Sequence, residues 1–149
     1  MKSPTLISEL NFNSVHDEQR GRCGTMTWSY AQKTGALSRN GSPVATGYSG
    51  NTSGLNNPDE QDRIGVGPVP RGDYTIGPSH RPINHLGPIA LPLYPAAASD
   101  MHGRCGFFIH GDNSKMNHTA SDGCIILART ARQAIIDSHD TALVVVASD

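Results

Sequence analysis

The sequence predicts a mainly β domain carrying one short helix, and three observations point there. Apolar residues come in short runs or alternations bounded by turn formers. The chain's 16 glycines and 10 prolines interrupt it often enough to disfavour long helices. One stretch near the C-terminus repeats its apolar residues at helical spacing. A chain of 149 residues suits one domain with a real core.

Taken in order, residues 1–24 mix Ser, Asn, Asp, Glu and Gly without a sustained period, and they are expected to form an N-terminal arm before a domain over residues 25–149. TMTWSYAQKTGALSRNGSPVATGYSG then sets β-formers on both sides of Asn40-Gly41, a dipeptide suited to the positive φ angles of a hairpin turn. Trp28 and Tyr30 alternate in the first strand, with Trp28 expected in the core. Tyr48, between Gly47 and Gly50, marks a strand end where a backbone can approach a ligand. NTSGLNNPDEQDRIGVGPVPRGDYTIGP reads as a long loop with a solvated acidic run, followed by the strand GDYTIG. LPLYP and GFFIHG are further strands, and CIIL is a short buried one. Thr130-Ala131-Arg132-Gln133 has the form of a capping box, and Ala131, Ala134, Ile135 and Ser138 follow with helical spacing. TALVVVAS closes the domain as a buried strand.

A formal charge of -1 and a pI near 6.6 give no electrostatic reason to expect a nucleic-acid or anionic-membrane partner. The longest apolar stretch, LGPIALPLYP, is broken by prolines and falls far short of the roughly 20 residues that cross a bilayer. The first twenty residues hold no apolar segment of the kind a secretory signal needs, so export is expected to use another route. Cys23, Cys105 and Cys124 form no even set, which leaves at least one free thiol; a Cys23 to Cys105 bridge is one arrangement of the other two.

The chemistry concentrates in FFIHGDNSKMNHTASDGCIIL, residues 107–127, where a polar loop separates His110 from Cys124. A cysteine attacks as its thiolate, and near neutral pH a neighbouring imidazole must take the thiol proton. That imidazole needs its other ring nitrogen held by a third group, here the Asp112 carboxylate or a backbone carbonyl. Gly123, in Ser121-Asp122-Gly123-Cys124, permits a sharp turn that aims backbone N–H groups at one point, as an oxyanion requires, and Ser121 adds a hydroxyl that orients the turn or a substrate. The competing reading is a buried structural cysteine beside Ile125 and Ile126. His102, Cys105, His110, Asp112, His118 and Cys124 offer soft ligands, yet their spacings match no common zinc pattern, and no metal or other cofactor is expected. His16, His80, His85 and His139 read as solvent-facing.

IHGDN followed by SDGCI resembles the signature of the L,D-transpeptidases of the YkuD type, a histidine, a spacer and then Ser/Thr-His-Gly-Cys. WSYAQKTGALSRNG, VATGYSG, GLNNP, GPVPRGDYTIGP, GRCGFFIHGDN and SDGCIIL, in that order over about residues 25–147, are similar to the divergent branch used as antibacterial effectors by type VI secretion systems. The resemblance implies an L,D-transpeptidase-like β-sandwich with one short helix after the catalytic cysteine. It implies Cys124 as nucleophile, His110 as base, the Gly111 carbonyl as its orienter, and N–H groups around Gly123 and Cys124 as oxyanion donors. Two positions depart from the family pattern. Asp122 stands where histidine is usual, which alters charge at the mouth of the site, and Ile126 stands where an arginine is common, so that Arg104 or Arg129 is left to clamp a carboxylate. Asp122, Asp112, Arg104 and Tyr48 are thus the expected substrate contacts.

The implied reaction is attack of Cys124 on the carbonyl between the third-position diamino acid and the terminal D-Ala of a peptidoglycan tetrapeptide stem. Water then completes an L,D-carboxypeptidase reaction, and a D-amino acid or second stem completes an exchange or cross-link. The branch further implies delivery by the type VI secretion apparatus from the producer's cytoplasm to the periplasm of target bacteria, and a cognate periplasmic immunity protein. The alternative is a non-catalytic peptidoglycan-binding or secretion-adaptor module of the same fold.

Overall fold

A computed structural model describes residues 27–79 and 87–149. The arm of residues 1–24, which includes His16 and Cys23, lies outside the described residues, as do His80 and His85. Among the described residues, nine strands and one α-helix follow the order β1 (Trp28–Ala31), β2 (Ala36–Arg39), β3 (Ser42–Thr46), β4 (Tyr48–Ser49), β5 (Gly72–Ile76), β6 (Leu91–Pro95), β7 (Phe108–His110), β8 (Ile125–Ile126), α1 (Arg129–Ser138) and β9 (Ala142–Val146). Among these residues the mainly β fold with one short α-helix is as the sequence predicts.

The strands lie side by side as β3-β2-β1-β9-β5-β6-β7-β8-β4. The opening hairpin turns at Asn40 and Gly41, both at positive φ (51° and 85°), as a two-residue turn matched to strand twist requires. β9, a Val-rich run with alternate residues buried, is central and pairs parallel with β1 and antiparallel with β5. β6 lies between β5, which pairs with Leu93 to Pro95, and β7, which pairs with Leu91 and Pro92. β3 and β4, at opposite ends of the strand order, are consecutive in the chain, so the sheet nearly closes on itself. Trp28, Tyr30, Leu37, Leu143 and Val145 from one half therefore meet Leu91, Ile109, Ile125 and Leu127 from the other in one core.

The start of the helix differs from the capping-box expectation. Ala128 occupies the N-cap with no side-chain bond, Thr130 already lies within the first turn, and Gln133 donates to Asp137 instead of reaching back. Tertiary ties set this start. β8 feeds almost directly into α1, and the Arg132 side chain donates back to the Leu127 carbonyl at 3.0 Å and across to the Ile89 carbonyl at 2.9 Å. The helix buries Ala131, Arg132 and Ile135. It ends at His139, whose backbone is left-handed (φ 62°) and whose ring is exposed.

Candidate active site

β7 and β8 are adjacent and parallel, with Ile109 opposite Ile125 and His110 opposite Ile126. His110 thus ends one strand and Cys124 immediately precedes the next, which brings the two ends of the polar loop to one part of the sheet. Ile109 and Ile125 point into the core, and the residues on either side of them face the other way.

His110 is buried at 3% exposure. Its Nδ1 lies 2.9 Å from the Gly111 carbonyl oxygen. A carbonyl only accepts, so Nδ1 carries the hydrogen and the lone pair of the neutral ring sits on Nε2. Of the two orienters the sequence left open, the contact is with the Gly111 carbonyl. Asp112 turns elsewhere, its Oδ1 accepting from the Tyr48 hydroxyl at 2.7 Å and the Asn113 N–H at 2.9 Å.

Cys124 sits in a tightly braced turn. Ser121 is fully buried, and its Oγ accepts from the Gly50 N–H at 2.9 Å and the Gly123 N–H at 3.0 Å while donating to the Cys124 carbonyl at 2.6 Å. Ser49, equally buried, donates to the Gly123 carbonyl at 3.1 Å and accepts from the Val69 N–H at 2.8 Å. The amide of Asn51 holds the Ser121 carbonyl at 2.8 Å. Gly123 has φ +140°, and a Cβ there would stand 2.5 Å from the Arg104 Nη2 and 3.0 Å from the Phe107 ring, so only glycine fits.

Arg104 is 7% exposed and grips four backbone carbonyls, those of Gln61, Gly67, Pro68 and Asp122, while its guanidinium stacks on Phe107 at 5.1 Å. Both terminal nitrogens are thereby engaged with the protein's own backbone. It ties the 61–68 loop to the Cys124 turn and brings a positive charge beside it. Burial pushes the Cys124 thiol up from its ordinary range; a backbone hydrogen bond with Phe108 opposes this, the Asp122 carboxylate adds to it, and Arg104 draws it back down. Asp122 itself is exposed at the rim.

Between the β4 end, the 112–118 loop and the start of α1 lies a cavity of about 320 Å³, lined by Tyr48, Asp112, Met116, His118, Leu127 and Arg132 among others. Tyr48 is buried, bonds Asp112 and the Ala120 N–H, and meets the His118 ring edge-on at 4.7 Å. Burial first, and the Asp112 bond second, push its hydroxyl up to about 12, so it stays a neutral donor through the physiological range. Arg132 forms part of the wall and packs against Gly111; a Cβ on that glycine would stand 2.7 Å from the Arg132 Nη2.

Sequence reasoning missed Ser49, Asn51 and Arg132. Ser49 ends β4 and Asn51 follows it in the loop, and both reach the turn only because β4 pairs with β8, Tyr48 opposite Ile126 and Ser49 opposite Ile125. Arg132 lay concealed inside a helix pattern. Cys105 is exposed with a free thiol. Among the described residues, no three His, Cys, Asp or Glu side chains converge as metal ligands would, and no helix is long and apolar enough to cross a membrane.

No curated protein and no solved structure matches the chain. A family model described as the Tlde1 domain matches residues 44–148, from β3 through β9 and across both the histidine strand and the cysteine turn. By that match the chain belongs to the Tlde1 domain family, whose members are type VI secretion effectors with peptidoglycan-related activity.

Proposed function

We propose that the protein is a cysteine-dependent L,D-carboxypeptidase and L,D-transpeptidase acting on peptidoglycan stem peptides. The observation that carries this reading is the His110 Nδ1 to Gly111 carbonyl bond at 2.9 Å, made on the strand beside Cys124. It fixes the tautomer a general base needs, with the accepting lone pair on Nε2. A structural cysteine would need neither this tautomer nor a turn braced by two buried serines and an arginine.

In the proposed cycle the Cys124 thiol gives its proton to His110 Nε2, and the sulfur adds to the carbonyl carbon of the third-position diamino acid. Negative charge on the carbonyl oxygen is met by a backbone N–H of the Cys124 turn. The Gly123 N–H is engaged by Ser121 Oγ, so we assign this donor to the Cys124 N–H, with Gly123 and Ser121 shaping the turn. The C–N bond to D-Ala breaks, the imidazolium protonates the leaving amine, and a thioester remains. Water yields a tripeptide; the amine of a D-amino acid yields an exchanged tetrapeptide. In either case His110 takes a proton from the incoming nucleophile and the thiol is regenerated. Arg104 acts as a fixed cation beside the thiolate, and Asp122 as an opposing charge at the mouth.

Muropeptide mass spectrometry tests this. Wild type should convert tetrapeptide stems to tripeptides, and to exchanged stems when a D-amino acid is added, while Cys124→Ala and His110→Ala should give neither. Unchanged stems with wild type, or conversion that survives Cys124→Ala, would sink the proposal and favour a binding or adaptor module. As an effector the protein should arrest cells when directed to the periplasm but not when retained in the cytoplasm, and a cognate immunity protein should relieve that arrest. Equal growth of the two strains would count against the toxin role.

A further inference from the structure

The cavity between Tyr48 and Arg132 holds a charge arrangement that the catalytic cycle does not use. Arg132 is 5% exposed, and its Nε and Nη1 donate to the Leu127 and Ile89 carbonyls. Its Nη2 has no hydrogen-bond partner among the described residues, and no carboxylate pairs with the guanidinium there. Two neutral carbonyls orient a guanidinium but do not neutralise it, and burial pulls its proton affinity down, with the Arg129 charge adding to that. A buried cation with an open donor on a cavity wall is arranged to meet an anion.

The opposite charge lies one residue from its contact point. Nη2 packs against Gly111, and Asp112 follows directly. Asp112 is exposed into the same cavity, with Oδ1 occupied by Tyr48 and Asn113 and Oδ2 without a partner among the described residues. The Tyr48 hydroxyl donates to this carboxylate and so holds it in place. Leu127 and Met116 add apolar wall, and about 320 Å³ reaches the lower end of the roughly 300 to 1,000 Å³ typical of small-ligand sites.

We propose that this cavity binds the zwitterionic head of an α-amino acid, its carboxylate on Arg132 and its ammonium on Asp112. Neither charge alone selects that ligand, but a cation and an anion on the walls of one cavity do. Two sources carry such a head: the free end of a diamino dicarboxylic acid in the stem donor, and a free D-amino acid acceptor. Naming these sources rests on the peptidoglycan reading above, whereas the zwitterion pocket itself does not.

Calorimetric titration of the full chain bearing Cys124→Ala tests the pocket without turnover. The first ligand pair is a tetrapeptide stem containing meso-diaminopimelate and the same stem with its head carboxylate amidated. The second pair is D-methionine and D-methioninamide. Loss of a charge-assisted bond should weaken binding about tenfold or more on amidation. Adding Asp112→Asn should weaken the unmodified ligand by a similar factor and leave the fold intact, because the side chain is exposed and the Tyr48 contact can persist. Sensitivity in the stem pair assigns the pocket to the donor, and sensitivity in the D-methionine pair assigns it to the acceptor; either supports the proposal. Equal binding within both pairs, or no binding by any of the four ligands, overturns it. The outcomes separate from those of the activity reading: carboxylate-dependent binding without thiol-dependent products would refute the enzyme and keep the pocket, and turnover indifferent to the head would do the reverse.

Discussion

Replacing Ser121 by alanine probes the scaffold of the Cys124 turn at one atom. The hydroxyl accepts from the N–H groups of Gly50 and Gly123 and donates to the Cys124 carbonyl, all at 3.0 Å or less, and the residue is fully buried. Alanine leaves two donors and one acceptor without a partner in a site with no room for bulk water. Each such group costs about 1–3 kcal/mol, and since the three share one turn the total is taken as roughly 3–5 kcal/mol. For a domain of this size about 1 kcal/mol moves the melting temperature by roughly 3–4 °C, so Ser121→Ala should melt roughly 10–20 °C below wild type. The check is a calorimetric or circular-dichroism melt of both proteins, with Cys124→Ala as a control that keeps the hydroxyl. In the same variant, muropeptide turnover measured well below its melting point should fall at least about tenfold, because a displacement of about 1 Å at a nucleophile is already costly. A melting temperature within about 3 °C of wild type would refute the assignment of Ser121 as the hub of the turn.

Three further outcomes follow from the same site. Asp122→Asn removes the exposed charge that raises the Cys124 thiol, so the thiolate share at neutral pH rises and the pH profile of iodoacetamide labelling shifts to lower pH, with a rate gain of about two- to fivefold for an interaction near 1 kcal/mol. Arg104→Gln has the opposite sign, slowing labelling and moving the profile upward, and Arg104→Lys should recover part of the rate; a profile unmoved by Gln would show that the guanidinium only braces the loops. Gly111→Ala drives a methyl to within 2.7 Å of Arg132 and should destabilise by about 1–3 kcal/mol, read as a lowered melting temperature; Gly111→Ala paired with Arg132→Met should recover part of the loss.

What could be read from the sequence was what depends on neighbours in the chain. Asn40-Gly41 turns a hairpin by its own backbone preferences, GDYTIG and ALVVV carry β-forming patterns, and His110 at the end of an apolar run and Cys124 at the start of another mark strand ends. That these two strands are parallel neighbours, and that β4 comes from far upstream to pair with β8, is decided by the closure of the whole sheet. Ser49 at a strand end and Asn51 in a loop carried no site signal for that reason. The capping box at Thr130 and Gln133 failed similarly: the local pattern favoured a later start, but the ties from Arg132 to Leu127 and Ile89 fix the helix earlier. Arg132 had no sequence signal, because a single arginine on a helix is ordinary until its burial is known. Arg104 had a signal, and its four carbonyl partners show it engaged in bracing.

The position of β9 has a kinetic consequence. This strand lies between β1 and β5, so the two sides of the sheet stay unjoined until residues Ala142–Val146 have been made and have docked. Its pairing with β1 joins nearly opposite ends of the described chain, a contact order that slows folding. During synthesis the histidine strand and the cysteine turn therefore emerge before the strand that completes their support, and the assembled site is among the last features the chain acquires. Any export step that acts on the unfinished chain would meet separate β segments and exposed apolar surface, whereas one that acts after release would meet a closed domain.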